Sequence, residues 1–348
     1  ENTKHRAILP NCKNILQLLV LTLLLLSSLV SAKTLPATQF KSTQNFINKM
    51  VKEHHFNQNE LLLIFSTIEL TAADKTKKKT KKVKKPRKKP MAWDKYSSLF
   101  LTQERIQNGV KFWHDNIATL KRAETTYNVP IEIIVAILGI ETSYGHNKGT
   151  HPTLETLAKR AFGNYRRRNF YKKELESFLL MSRENAIPAL AIKGSYAGAM
   201  GYPQFIASSY RHYAVDFNQD GKIDLFSNPI DAIGSIANYF DKHQWHDFGE
   251  IARPISLSST HLKYAKRSTN KPKKNAKYWR DKGLDIDTDI PNKTKLAFVR
   301  LPQQKIDETY LTFWNFYVLT RYNHDNRYAM VAYQLSKKIK QQFNSNNH

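Results

Sequence analysis

Pro130-Ile131-Glu132-Ile133-Ile134-Val135-Ala136-Ile137-Leu138-Gly139-Ile140-Glu141 is the stretch that sets the fold class. Pro130 suits the first turn of a helix, where its missing N–H leaves nothing unpaired. The residues that follow are apolar apart from Glu132, so the helix has no polar face and must be surrounded by protein. A helix of this kind is the central element of a mainly α fold. Glu141 closes it, and Gly145 stands where the chain is expected to turn away. A carboxylate in that position is discouraged from ionising by apolar surroundings and by the negative partial charge of the helix C-terminus. Both effects raise its pKa, as a general acid requires near neutral pH. Taken alone, a Glu after an apolar helix is more often a surface or arginine-paired residue, so the neighbouring segments have to decide.

Working outward, helical periodicity covers 103–127, 171–186, 229–242 and 326–342. Residues 250–310 differ, with short mixed runs such as Leu296-Ala297-Phe298-Val299-Arg300-Leu301 among Ser, Lys, Asn and Pro, and read as a small strand-containing insertion. The fold class is therefore mainly α (α+β). Residues 33–72 form an N-terminal helical segment, in which Phe46, Ile47 and Met50 recur at helical spacing. Residues 73–92 read as a linker, since Lys75 to Lys89 holds eleven Lys or Arg and no acid. Residues 93–348 then form one large region without internal repeats.

The 348 residues carry 55 Lys and Arg against 29 Asp and Glu, a formal net charge of +26, so the surface favours polyanions. The N-terminus decides which. Lys4, Arg6 and Lys13 precede an apolar run from Ile15 to Val30, and Val30-Ser31-Ala32 offers small residues at the signal-peptidase positions. Residues 1–32 thus read as a cleavable signal peptide directing the chain to the periplasm, the alternative being an uncleaved inner-membrane anchor. Cys12, the one cysteine, precedes the apolar run and is misplaced for a lipid anchor. Export excludes nucleic acid as a natural partner and leaves an anionic wall or membrane for the basic linker.

Two further segments carry chemistry. Gly194-Ser195-Tyr196-Ala197-Gly198-Ala199-Met200-Gly201-Tyr202-Pro203-Gln204-Phe205 combines small residues, which allow close approach, with aromatic platforms and one amide. It contains neither a nucleophile elbow nor a phosphate loop. Asp216-Phe217-Asn218-Gln219-Asp220-Gly221-Lys222-Ile223-Asp224 matches the first half of an EF-hand, with Asp216, Asn218, Asp220 and the Lys222 carbonyl as oxygen ligands. Ser227 stands where the closing Glu belongs, so Asp231 would close a longer loop, 216–231, around a structural Ca²⁺.

In this order, these segments resemble the membrane-bound lytic murein transglycosylase B family. The resemblance also rests on Val110-Lys111-Phe112-Trp113, Glu141-Thr142-Ser143-Tyr144-Gly145 and Tyr213-Ala214-Val215-Asp216-Phe217. It continues through Asp231-Ala232-Ile233-Gly234-Ser235-Ile236-Ala237-Asn238-Tyr239-Phe240 and Asn315-Phe316-Tyr317-Val318-Leu319-Thr320-Arg321-Tyr322-Asn323. The resemblance implies a lysozyme-like helical core carrying an EF-hand-like calcium loop. It implies cleavage of peptidoglycan between N-acetylmuramic acid and N-acetylglucosamine, with Glu141 as acid/base and a 1,6-anhydromuramoyl product. Matching substrate positions are Arg166, Arg167, Ser195, Met200, Gln204, Phe205, Tyr239, Tyr322, Asn323 and Tyr328. Ser143-Tyr144 departs from the Arg-Trp often found there in the family, a change expected to alter a subsite wall. A hydrolytic lysozyme of the same fold and a non-enzymatic wall-binding scaffold are the rival readings.

Overall fold

The computed structural model describes residues 34–71, 91–246, 249–267, 271–303 and 306–346. The signal peptide read at 1–32 and the basic run 75–89 lie outside the described residues. Residues 34–71 form one compact unit, and those from 91 onward belong to a second.

In the first unit, β1 (Thr34–Pro36) pairs antiparallel with β2 (Glu69–Thr71), Leu35 opposite Leu70. Between them lie α1 (Lys41–His54) and α2 (Gln58–Ser66). Phe46, Ile47 and Met50 are buried along α1, and the Phe46 ring meets Phe65 of α2 edge-on at 6.0 Å. Asn57 caps α2 by accepting from the backbone N–H groups of Asn59 and Glu60.

The second unit begins with α3 (Trp93–Ser98), α4 (Gln103–Asp115), α5 (Ile117–Tyr127) and α6 (Ile131–Thr142). The continuous helix expected over 103–127 is in fact two. The chain breaks at Asn116 (φ −122°, ψ 22°), whose side-chain amide donates to the Phe112 carbonyl at 2.9 Å. A local side-chain bond to the backbone competes with the helical ladder at that point, which apolar periodicity alone does not register. Helix α6 is the apolar stretch quoted above, and Ile133 to Gly139 are all buried in it.

β3 (His151–Pro152) leads into α7 (Thr153–Phe162) and α8 (Arg168–Glu184), then to β4 (Lys193–Gly194), which pairs with β3. α9 (Ala207–Tyr213) and α10 (Pro229–Lys242) follow. Next come β5 (Ala252–Pro254), β6 (Ala265–Lys266), β7 (Lys274–Asn275), α11 (Ala276–Asp281), β8 (Lys295–Leu301) and β9 (Glu308–Thr312). α12 (Trp314–Tyr322) and α13 (Asn326–Ser345) complete the unit.

The mixed stretch near 250–310 is thus a five-stranded sheet in the order β5-β9-β8-β6, with β7 also on β8; only β6 runs parallel to β8. Leu296 and Phe298 of β8 face a small core with Leu284, Ile286, Ile290 and Leu311, against which Trp279 packs. Ala297 and Val299 are buried as well, and β8 also contacts α13. That is why this strand reads as a continuous apolar run rather than an alternating one. The helices α4, α5, α10 and α13 all pack on α6, so the fold is mainly helical with α6 at its centre. Among the described residues no single helix is long and apolar enough to cross a membrane.

Candidate active site

Glu141 lies in the last turn of α6, and the chain leaves that turn abruptly. Ser143, Tyr144 and Gly145 have φ of 48°, 61° and 93°. The N–H of Ser143 donates to the Gly139 carbonyl at 3.2 Å, the 5→1 bond of an αL motif, and that of Tyr144 reaches the Leu138 carbonyl at 3.1 Å. The reversal therefore falls on Ser143, two residues earlier than the Gly145 expected from sequence. Arg105 of α4 reinforces the end, its Nε donating to the Gly139 carbonyl at 3.0 Å. Tyr144 does not wall a subsite. It is buried against Phe112, ring centroids 5.7 Å apart, and its hydroxyl donates to the Arg105 carbonyl at 2.7 Å. Room for it comes from two glycines, since a Cβ on Gly109 or Gly139 would come within 2.6 or 2.5 Å of the Tyr144 oxygen.

Glu141 itself faces tyrosines. Tyr328 of α13 donates its hydroxyl to Glu141 Oε1 at 2.6 Å. Burial is the leading influence on the carboxyl and pushes its pKa from 4.5 up to about 7, while the Tyr328 bond pulls the other way. Burial and the nearby Glu141 charge hold the Tyr328 phenol far above its ordinary range, so it remains a donor. The Tyr328 ring lies nearly parallel to that of Tyr322, 6.3 Å away, and the Tyr322 hydroxyl is anchored on the Pro203 carbonyl at 2.6 Å. Phe205 and Tyr239 extend the wall at 6.0 and 4.9 Å from Tyr322. Tyr239 is fixed by a 2.7 Å bond to the Arg321 carbonyl. Rings tethered in this way keep their places without a ligand to order them.

The glycine-rich segment is a tight double turn. Bridges join Gly194 to Met200 and Met200 to Phe205, which carries Phe205 back toward the tyrosines. Ser195 Oγ accepts from the backbone N–H groups of Ala197 and Ala199, so it locks the loop. Met200 is fully buried beneath it. Gln204 has φ 51° and spends its amide N–H groups on the Lys148 and Gly201 carbonyls, leaving its Oε1 without a donor among the described residues. Asn323 is exposed beside Tyr322, and Arg166 and Arg167 are exposed on the turn between α7 and α8.

The EF-hand-like loop joins α9 to α10. Asp216 accepts from the N–H groups of Asp220 (3.1 Å) and Gly221 (2.8 Å), and Gly221 takes φ 85°, as a tight turn at that position requires. Asn218 donates to Asp220 Oδ2 at 2.8 Å. Asp231, fully buried in the first turn of α10, accepts from the N–H groups of Phe217, Asn218 and Asp224. Burial and the Asp216 charge raise its pKa against those bonds. Two carboxylates that repel each other inside an all-oxygen donor set fit a hard divalent cation, which would relieve the repulsion.

Residues 39–337 match the family model described as "Transglycosylase SLT domain". The chain belongs to that family. It is 38% identical over 303 residues to membrane-bound lytic murein transglycosylase B of Escherichia coli (strain K12), covering 86% of this chain and 82% of that one. The crystal structure of soluble lytic transglycosylase SltB1 from Pseudomonas aeruginosa is similar with TM-score 0.77 and 34% identity, over 86% of this chain and 98% of that one. The Escherichia coli lytic transglycosylase Slt35, solved in complex with calcium, is similar with TM-score 0.75 and 36% identity, over 87% and 93%. The protein is a lytic transglycosylase acting on peptidoglycan, and its fold is the lysozyme-like one of these enzymes.

The transglycosylase brings together residues that sequence reasoning passed over. Burial, with smaller contributions from the charges of Asp325 and Glu141, pushes the phenol of Tyr96 of α3 up to about 12. Arg327 lies over the Tyr96 ring at 4.8 Å and holds Asp325 through its Nε, 3.1 Å from both carboxylate oxygens. Thr142, next to Glu141, donates to the Tyr202 carbonyl at 3.1 Å and ties α6 to the glycine-rich segment. No short-range pattern links Tyr96, Glu141 and Arg327. Their meeting depends on α3 and α13 both packing near the end of α6.

Proposed function

We propose that Glu141 is the single acid/base with which this transglycosylase cleaves the β-1,4 bond between N-acetylmuramic acid and N-acetylglucosamine. The observation that carries the reading is the Glu141 carboxyl bonded to Tyr328 and walled by anchored aromatic rings, where burial pushes its pKa up to about 7. Near neutral pH it is part acid and part carboxylate, so one group serves both half-reactions. Glu141 first protonates the glycosidic oxygen, and the 2-acetamido group assists as the bond to muramic C1 breaks. The carboxylate then takes the proton of the muramic C6 hydroxyl, whose oxygen bonds to C1. A 1,6-anhydromuramoyl end forms, the N-acetylglucosamine hydroxyl is released, and no water is consumed.

Tyr328 steadies the carboxylate between the steps, and Phe205, Tyr239 and Tyr322 hold the sugar and limit water. Gln204 and Asn323 bind polar sugar groups, Arg166 and Arg167 meet lactyl or peptide carboxylates, and Ser195 and Met200 hold the floor in shape. A hydrolytic route needs a second free carboxylate to place water. Asp325, which shares Tyr96 as a neighbour with Glu141, is engaged by Arg327, and that supports internal attack by the C6 hydroxyl.

The same reading gives Asp216, Asn218, Asp220, the Lys222 carbonyl and Asp231 a structural Ca²⁺ that ties α9 to α10. Residues 1–32 export the chain to the periplasm, as a cleaved signal or a retained anchor, and the basic linker adds electrostatic contact with anionic wall or membrane. The test is mass spectrometry of muropeptides released from purified sacculi. Anhydro ends that resist borohydride reduction, made by the native enzyme and lost in Glu141→Gln, are expected. Reducible muramic ends would overturn the mechanism.

A further inference from the structure

On the same unit, one cation stands among rings with no acid to neutralise it. Arg160 of α7 has its guanidinium carbon 5.3, 5.2 and 5.6 Å from the ring centroids of Tyr165, Tyr171 and Tyr196. It donates to the Tyr196 carbonyl at 2.6 Å and to the Tyr171 hydroxyl at 3.3 Å. No carboxylate among the described residues pairs with it, so the remaining donors of its planar fork are free for an outside acceptor. Tyr171 is buried, whereas Tyr196 is 70% and Tyr165 47% exposed.

An aromatic ring left this open on a floppy loop would carry little meaning. Here the loop is rigid. Ser195 Oγ holds the N–H groups of Ala197 and Ala199, Gly198 turns with φ 88°, and the Ser195 N–H closes on the Ala199 carbonyl at 2.8 Å. Tyr196 therefore stands at the apex of the turn whose other end, Phe205, reaches the tyrosines beside Glu141. A fixed, exposed aromatic face beside an unpaired planar cation matches a sugar that bears a carboxylate. The ring face covers the sugar's C–H surface, and the fork takes the acid in two parallel bonds.

The geometry points to an outer subsite, made by Tyr165, Tyr196 and Arg160, that binds a distant muramic residue of a long glycan strand through its ring and its lactyl or peptide carboxylate. The inference rests on the proposed reaction at Glu141 but concerns strand length rather than chemistry. A strand that reaches the subsite gains affinity, and a short fragment that cannot reach it does not.

The experiment compares steady-state kinetics on long glycan strands and on disaccharide-repeat fragments of minimal length for the native enzyme, Tyr165→Ala/Tyr196→Ala and Tyr196→Trp. The double variant is expected to raise KM for long strands about tenfold with kcat unchanged, and to leave short fragments unaffected. Tyr196→Trp keeps the platform and is expected to keep the native KM. Arg160→Lys, measured by calorimetry in the Glu141→Gln background, is expected to weaken binding of carboxylate-bearing strands but not of chitin oligosaccharides, which lack the acid. An unchanged KM on long strands in the double variant, with native circular dichroism, overturns the subsite. An equal loss on short and long substrates overturns it too, because it would place the tyrosines at the reacting sugar. Absence of anhydro product from the native enzyme would instead strike the reaction at Glu141, and the calorimetry still decides the subsite in that case.

Discussion

Replacing Glu141 by Gln is expected to make the enzyme more stable as well as inactive, and the gain should depend on pH in a definite way. Burial lifts the carboxyl from 4.5 to about 7 in the folded protein. The unfolded chain keeps a value near 4.3, so between roughly pH 4.5 and 7 the native state binds more protons than the unfolded one. Stability of the native enzyme therefore falls as pH rises through that window, and the loss is complete once the folded group has ionised. A shift of about 2.5 units corresponds to ~3 kcal/mol, the cost of holding a carboxylate where burial opposes it. Gln retains an oxygen for the Tyr328 hydroxyl and never ionises, so it escapes that cost. Urea denaturation of both proteins at intervals from pH 4 to 8.5 should show little difference at pH 4 and a gap of ~3 kcal/mol in favour of Gln above pH 7.5. A gap that is flat with pH, or that favours Glu in alkali, would refute burial as the source of the raised pKa.

Tyr328→Phe should move the alkaline limb of the pH–rate profile upward, because the bond that lowers the Glu141 pKa is gone; a downward shift would contradict the assigned hydrogen bond. Its effect on the limb should be about 1–2 units, from a charge-assisted bond worth ~1.5–3 kcal/mol. Ser143→Gly relieves a left-handed residue (φ 48°) and should stabilise the fold by about 1 kcal/mol, read from the urea midpoint at constant m. Gly139→Ala drives a methyl to within 2.5 Å of the Tyr144 oxygen and 2.7 Å of its Cζ and should cost ~1–3 kcal/mol, a loss that Tyr144→Phe does not relieve because the ring carbon stays. Chelation with EGTA should lower the melting temperature by several degrees, reversibly with added Ca²⁺, and Asp216→Asn should abolish that response.

The apolar run from Ile131 to Ile140 determined that α6 is central, because a helix without a polar face has no stable position at a surface. Glu141 at its end and the oxygen-rich loop from Asp216 stand out as candidates from residue type and short-range spacing, which state what chemistry is available. The mixed composition of the 250–310 stretch likewise separated a sheet from the surrounding helices. Local hydrogen-bonding detail was less visible. Asn116 breaks a helix that periodicity reads as continuous, and Ser143 rather than Gly145 turns the chain, since three successive left-handed residues are held by contacts that local propensity opposes. Tyr144, part of the departure from the family's Arg-Trp, is a core residue, accommodated by glycines thirty-five and five positions upstream at Gly109 and Gly139. What only the tertiary structure decided is how Glu141 behaves. Tyr96, Tyr322 and Tyr328 come from distant parts of the chain, and packing around the end of α6 brings them together. The pKa of about 7 follows from burial and from the single phenol that donates to the carboxylate, both of which depend on tertiary packing.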